Sequence, residues 1–247
     1  MKKVFVVSAL SLAFASSAFA SSYITGNLQF HSDDLHGSDI TSTLEAGHTF
    51  NNQLGGFTVY TEIDGIQLGE LATDRQVLQG GEVTNGSSAN PAWTIGGEQA
   101  FSINDNLWVA AGYQHLIIEG ETVQYRPLVK IGYNFDNGIS ISNRTRAHIN
   151  DDSKLDNDYR MDNRVAYTVN EQLALSYNNV YVFSGNESEE YTGVFKKQDS
   201  MDHELRATWT RNGVQPYFEY RSQANGVKVE GSKIDNHAFV FGASYGF

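Results

Sequence analysis

The chain has 247 residues, which is enough for one sizeable domain and does not require two. Its formal net charge is −12, from 29 acidic and 17 basic residues, so we expect no nucleic-acid partner, because that role depends on neutralising phosphates. There is no cysteine, which excludes a disulfide framework, a thiol nucleophile and a thiolate metal site.

The first twenty residues have the pattern of a secretory signal peptide. They begin with Met1-Lys2-Lys3, continue with an apolar run over residues 4–15, and end on the small-x-small cleavage site Ala18-Phe19-Ala20. Neither this run nor any later stretch reaches the roughly 18 to 20 apolar residues that a spanning helix needs. We therefore predict a signal peptide over residues 1–20, a single domain over residues 21–247, and no helical membrane protein.

From Ser22 onward the chain consists of alternating segments of about ten residues separated by stretches rich in turn residues. Nearly all of them place β-branched or aromatic residues on one face and polar residues on the other, with the period of two that defines a β-strand. The twelve segments are approximately residues 22–32, 40–50, 56–65, 92–101, 107–118, 122–133, 138–149, 158–168, 172–183, 202–211, 213–223 and 236–247.

Segments 122–133 and 138–149 show the pattern most clearly. In the first, aromatic and aliphatic residues such as Tyr125 share one face, and Arg126 and Lys130 share the other. In the second, an isoleucine-rich face opposes a face of serines and arginines. Such a hairpin fits a soluble sheet with one wet face, and it also fits the wall of a membrane barrel.

The connections between segments decide between these two structures. The even-numbered connections are tight Asn/Asp/Gly turns such as Asn134–Gly138 and Asn212-Gly213, whereas the odd-numbered ones are more often long and acidic, the longest being residues 65–91. Short turns at one end and long loops at the other are typical of outer-membrane barrels, which have an even strand number and periplasmic termini. We predict an all-β fold, a twelve-stranded antiparallel transmembrane β-barrel of the bacterial outer membrane.

The aromatic residues agree with a lipid-facing exterior. In the last segment Phe239, Phe241, Tyr245 and Phe247 share one face. Other aromatic residues are candidates for the girdles at the two membrane interfaces, although ordinary sheet packing would also explain them. These candidates are Trp93, Trp209, Tyr133, Tyr167, Tyr177, Tyr181 and Tyr220.

The opposite faces of the strands would line the lumen, and they carry most of the charge within the segments. Arg or Lys on the lipid side near the midplane would cost roughly 2–4 kcal/mol, and we find almost no charge there. The inward basic residues are Arg126, Lys130, Arg144, Arg146, Arg160, Arg164, Arg206 and Arg221. The inward acidic residues are Glu45, Glu62, Asp64, Glu98, Asp162, Glu204 and Glu219.

These charges are segregated by strand. The sixth to eighth segments carry six of the eight basic residues and one acid, and we call this set of residues the basic wall. Glu45, Glu62 and Glu98, from the second to fourth segments, form the acidic wall. Guanidinium groups bind carboxylates bidentately, and low-dielectric walls concentrate a solute of opposite charge. Twelve strands should leave a narrow passage, which suits a small sugar chain. The alternative is that these side chains form structural ion pairs that fill the lumen.

Several motifs resemble those of a known family. They are Tyr125-Arg126-Pro127-Leu128-Val129-Lys130-Ile131 followed by Arg144-x-Arg146, then Gln215-Pro216-Tyr217-Phe218-Glu219-Tyr220-Arg221, and the ending Gly242-x-x-Tyr245-x-Phe247. In these motifs, its length and its strand number the chain resembles the oligogalacturonate-specific porin family, the KdgM-like outer-membrane channels, which also include sialic-acid channels.

The resemblance implies a monomeric twelve-stranded channel for acidic sugars or oligosaccharides. It also implies basic rows along the pore, and by position one row would contain Arg126, Lys130, Arg144, Arg146, Arg160 and Arg164. The chain departs from the family on the other side of the lumen, where the family tends to be basic and this sequence has the acidic wall. That departure leaves the substrate class open.

We therefore expect a porin for passive diffusion of small acidic sugars or oligosaccharides, seated in outer-membrane lipid and needing no cofactor, metal or catalytic residue. Enzymes are the second possibility. A barrel phospholipase needs Ser and His on one strand face, but His31 and Ser32 are adjacent, and Asp34-x-His36 and Asp235-x-His237 match the Asp/His sets of barrel proteases only crudely. The third possibility is a structural barrel that conducts no ions.

Overall fold

The computed structural model describes most of the chain after residue 20. The described residues are 21–32, 38–70, 76–77, 83–84, 90–153, 155–185, 195–197, 199–224, 227–229 and 235–247. The predicted signal peptide, and Asp34 and His36, lie outside them. Within these ranges there is no helix long and apolar enough to cross a membrane.

Twelve long strands form one closed antiparallel barrel in which each strand pairs with the next in sequence. Numbered in chain order, they are β1 (Ser21–His31), β2 (Ile40–Asn52), β3 (Gly55–Gln67), β4 (Ala92–Ser102), β5 (Leu107–Ile118), β6 (Glu121–Asn134), β7 (Ile139–Asn150), β8 (Asp158–Asn170), β9 (Leu173–Phe183), β10 (Ser200–Trp209), β11 (Gln215–Ala224) and β12 (Asp235–Gly246). The predicted fold is confirmed, and each strand coincides with one predicted segment.

Two short antiparallel pairs accompany the barrel in its long connections. Gln76–Val77 pairs with Val83–Thr84, and Phe195–Lys197 pairs with Val227–Val229. The second pair links the loop before β10 to the loop before β12, so these two long loops lie at the same end of the barrel.

The barrel closes between β1 and β12. Ile24 lies opposite Tyr245 on one side and Ala46 on the other, and Ser22 and Phe247 exchange two backbone hydrogen bonds of 2.9 Å. Because every barrel strand has two neighbours, the sheet has no open edge. A closed sheet of this kind satisfies its backbone polar groups internally, as a hydrocarbon environment demands.

The tight turns reuse one device, an asparagine side chain that caps the turn. Asn52 Oδ1 accepts hydrogen bonds from the backbone N–H groups of Leu54 at 2.9 Å and Gly55 at 3.1 Å. The carboxamides of Asn104 and Asn170 accept the corresponding pairs of backbone N–H groups in their own turns. This Asx geometry explains why the turns predicted from Asn, Asp and Gly are short.

The two faces of the barrel wall differ as the period-two pattern predicts. The outward face is apolar: Val129 is 57% exposed, and the predicted girdle residues Trp93 and Trp209 are 49% and 52% exposed. The inward face is polar, and side chains two strands apart meet there. Gln114 of β5, for example, donates to the hydroxyl of Tyr60 in β3 at 2.8 Å. Such a contact can form only on the concave side of the wall.

Candidate functional site

Four inward aromatic rings lie against the barrel wall because a glycine occupies the directly opposite position on the neighbouring strand. A Cβ atom on Gly47 would come within 2.6 Å of the ring of Tyr23, so a larger residue there would displace the ring. The four pairs are Tyr23–Gly47, Tyr60–Gly96, Trp108–Gly132 and Tyr217–Gly242. These rings were not predicted from the sequence. Two signals could have identified them: each ring shares the polar face of its strand, and a glycine lies opposite.

In the basic wall, one carboxylate holds two arginines. Asp162 in β8 forms an ion pair with Arg144 at 3.0 Å through Oδ2 and with Arg160 at 2.7 Å through Oδ1. Arg160 lies on the same strand two residues away, and Arg144 lies directly opposite Asp162 on β7. The period of two and the register therefore bring all three side chains to one face, and Asp162 fixes both guanidinium groups in place.

Two further arginines of the basic wall bind neutral partners. Arg126 donates through Nε to Gln124 Oε1 at 2.8 Å. Arg146, only 6% exposed, donates through Nε to His148 Nε2 at 2.8 Å and through Nη1 to Gln114 Oε1. Among the described residues, no carboxylate forms an ion pair with either guanidinium group. Both arginines are thus oriented without being neutralised.

The inward acids of β2 and β3, which are Glu45, Glu62 and Asp64, have a different set of partners. Glu45 in β2 and Glu62 in β3 occupy directly opposite positions, so two carboxylates lie side by side. The Tyr23 hydroxyl donates to Glu45 Oε1 at 2.7 Å, and the Thr43 hydroxyl donates to Asp64 Oδ1 at 2.5 Å. Within the described part of the chain, none of these three acids forms an ion pair. Hydroxyl groups hold Glu45 and Asp64, and Glu62 lies beside Glu45.

Between the two walls, acids and bases neutralise one another. Lys130 in β6 reaches over β5 to Glu98 in β4, with Nζ and Oε2 2.5 Å apart. On the other side, Glu219 in β11 binds Arg206 and Arg221, each at 2.5 Å. Within the described residues, at least five of the eight predicted basic residues are therefore ion-paired, which is the alternative considered from the sequence.

The remaining predicted residues also lie within this network. Arg164 in β8 donates to the hydroxyl of Ser176 in β9 at 3.0 Å. Glu204 in β10 accepts a hydrogen bond from Asn178 at 2.9 Å and lies 4.0 Å from Arg221. The structure thus places every predicted charged residue on the inward face, and it adds Gln114, His148 and the four aromatic rings to the set.

The two walls act on the same part of the lumen. Glu62 interacts electrostatically with Arg144 and Arg146, and Arg126 interacts with Glu62 and Asp64. β3 is separated from β6 and β7 by at least two strands, so these interactions do not run between neighbouring strands. Most of the side chains in this zone are nearly buried; Glu45, Glu98 and Asp162 are 8%, 6% and 7% exposed. The charged zone, which we call the constriction, is therefore formed by closely packed side chains of both signs.

No group of three or more potential metal ligands occurs in the described part of the chain. His237, from the Asp235-x-His237 motif, lies on the outward face, where its ring stacks on Tyr220 and its Nδ1 is 2.9 Å from the tyrosine hydroxyl.

A closed barrel with an apolar exterior, exposed aromatic residues and a charged interior is typical of outer-membrane channels of the porin class. A family model described as "Oligogalacturonate-specific porin protein (KdgM)" matches residues 85–247. The chain therefore belongs to the oligogalacturonate-specific porin family, and the resemblance found in its motifs is confirmed. The match contains the whole basic wall but begins after β3, which carries Glu62 and Asp64.

Solved structures show the same fold at low sequence identity. The chain is similar to the structure titled "KdgM porin" (TM-score 0.60, 13% identity, covering 91% of this chain and 99% of that one). It is also similar to a NanC porin structure (TM-score 0.62, 13% identity, 90% and 98% covered). A third is "KdgM porin in complex with disordered oligogalacturonate" (TM-score 0.61, 15% identity, 91% and 99% covered). No curated protein sequence matches the chain.

Proposed function

We propose that this porin admits small acidic sugars or oligosaccharides and that its basic wall recognises their carboxylates. The observation that carries the proposal is the pair Arg126 and Arg146, whose guanidinium groups bind only neutral partners within the described residues. Membership of the oligogalacturonate-specific porin family supports it. A porin of the same fold was solved in complex with oligogalacturonate, which is a polymer of carboxylate-bearing sugars.

Guanidinium groups suit this task because of their geometry. A planar fork of N–H donors matches the two oxygens of a carboxylate, which an ammonium group cannot do. Arg146 is held by His148 and Gln114, so little side-chain freedom remains to be lost when a solute binds. Conduction also requires that the solute leave again, and the neighbouring Arg144 and Arg160, already paired with Asp162, offer only weak further binding.

The ion-paired residues have a second role in this proposal. Lys130 with Glu98, and Arg206 and Arg221 with Glu219, narrow the passage and fix its shape without adding net attraction for anions. We further propose that residues 21–247 form the mature protein, that it works as a monomer, and that both termini lie in the periplasm, at the end of the barrel with tight turns.

The proposal is tested by electrophysiology on the refolded barrel in a planar bilayer. We would measure the reversal potential in a KCl gradient and the current block by trigalacturonate, for wild type and for Arg126→Gln and Arg146→Gln, singly and together. Wild type should be blocked by trigalacturonate, and the double variant should lose the block. Arg211→Gln is the matched control, because Arg211 is exposed and stacks on Trp209 outside the lumen.

Two other outcomes would contradict the proposal. Open channels that trigalacturonate does not block, or an equal block in the double variant, would overturn the assignment of the basic wall. A correctly folded wild-type barrel that conducts no ions would overturn the channel itself and favour a structural barrel.

A further inference from the structure

The lumen retains charges of both signs after its internal pairing. On one wall, Arg126 and Arg146 bind neutral acceptors, and on the other, Glu45, Glu62 and Asp64 are held by hydroxyl groups or lie beside another carboxylate. Among the described residues, none of these five side chains forms an ion pair. A solute in the constriction therefore meets two guanidinium groups on one side and three carboxyl groups on the other, without ion-pair partners among the described residues.

A purely anionic sugar satisfies only half of this arrangement. Its carboxylate is attracted by the basic wall, but it is repelled by Glu62, which acts at the same level of the lumen as Arg144 and Arg146. Glu62 forms no direct ion pair among the described residues, and the low-dielectric walls strengthen the repulsion. Like-charge groups placed in this way are a means of rejecting a solute, so the acidic wall works against simple acidic sugars.

A solute that also carries a positive group is attracted by the acidic side chains that repel its carboxylate. The Tyr23 hydroxyl engages only Oε1 of Glu45, and the Thr43 hydroxyl engages only Oδ1 of Asp64, so lone pairs on both carboxylates remain available to an ammonium group. These hydroxyls also keep the carboxylates in position. The charge pattern of the constriction thus complements a small molecule that carries an ammonium group on one edge and a carboxylate on the other.

We propose that the preferred solutes of this pore are zwitterionic saccharides, in which an amino sugar bears a free ammonium group together with a carboxylate. The inference rests on the proposed saccharide channel and narrows its substrate class. It concerns acidic residues of β2 and β3. These strands lie outside residues 85–247, which the family model matches, so the family match does not account for these acids.

The test compares two solutes with the same carboxylate, one with a free ammonium group and one in which that amine is acetylated. We would titrate the current block by 2-amino-2-deoxygalacturonate and by its N-acetyl derivative at pH 6, with galacturonate and galactose as references. In wild type, the amino compound should bind about threefold or more tightly than its N-acetyl derivative, because specificity is a difference of affinities. Glu45→Gln/Glu62→Gln should abolish that ratio and strengthen the block by galacturonate.

The controls keep the outcomes separate. Glu70→Gln/Glu171→Gln makes the same charge change at two exposed positions outside the constriction and should leave the ratio unchanged. If the double lumen variant does not fold, Glu62→Gln alone should reduce the ratio. Equal binding of the two derivatives by wild type, or an unchanged ratio in the lumen variants, overturns the proposal. If neither the amino compound nor its N-acetyl derivative blocks more than galactose, the result counts against the acidic-sugar function instead, because both compounds carry the same carboxylate.

Discussion

The two walls of the lumen differ in how their charges are held. In the basic wall, an acid and two neutral acceptors, Asp162, Gln114 and His148, orient the arginines. On β2 and β3, in contrast, Glu45 and Asp64 are held by hydroxyl groups, and neither strand carries a lysine or an arginine. The selectivity of such a pore is therefore set by the charges left over after internal pairing and not by the number of charged residues.

The largest expected effect comes from reversing the sign of the acidic wall. Glu62→Arg replaces repulsion of anions by attraction at the level of Arg144 and Arg146. We expect the anion-to-cation permeability ratio to rise about tenfold, equivalent to about 1.4 kcal/mol. Reversal potentials in a KCl gradient measure the ratio. Glu70→Arg is the control, and an unchanged ratio in Glu62→Arg would mean that the two walls do not act on the same ions.

A smaller effect is expected from removing the anchor of the basic wall. Asp162→Asn leaves Arg144 and Arg160 without their carboxylate. We expect the free energy of unfolding to fall by about 3 kcal/mol, the lower end for breaking a buried ion pair, because water in the lumen can reach both groups. Urea unfolding of the barrel in lipid vesicles gives the value. Asp105→Asn, in an exposed turn, should change it little, and the same small change in Asp162→Asn would contradict the anchoring role.

The smallest effect is a steric one on the acidic wall. Gly47→Val places atoms where the ring of Tyr23 lies, so the ring should turn into the lumen and its hydroxyl should leave Glu45. We expect the single-channel conductance to fall by roughly half. Gly26→Val, whose Cβ would meet its nearest neighbour, Leu44, at an ordinary 3.5 Å, is the matched control. Equal conductance of both variants would show that Tyr23 does not border the passage.

The strands, their order and the two faces of the wall could be predicted from the sequence, because a period of two and Asn-capped turns are local signals. The partners of individual charges could not. Lys130 pairs with Glu98 two strands away, and Arg146 contacts Gln114 in the same manner, so these contacts depend on the stagger of the closed sheet. Aromatic residues of a membrane barrel are expected on the lipid side, and this expectation does not identify the inward rings of Tyr23 and Tyr60.

The pairing of β1 with β12 also has a consequence for how the molecule is made. These strands stand at the two ends of the barrel sequence, and the hydrogen bonds between Ser22 and Phe247 join them only when the last strand is present. Until then the growing sheet has two open edges, which are templates for pairing with other chains. Contacts between residues so distant in sequence also form slowly. Closure of this barrel therefore requires the last strand, and it removes both edges together.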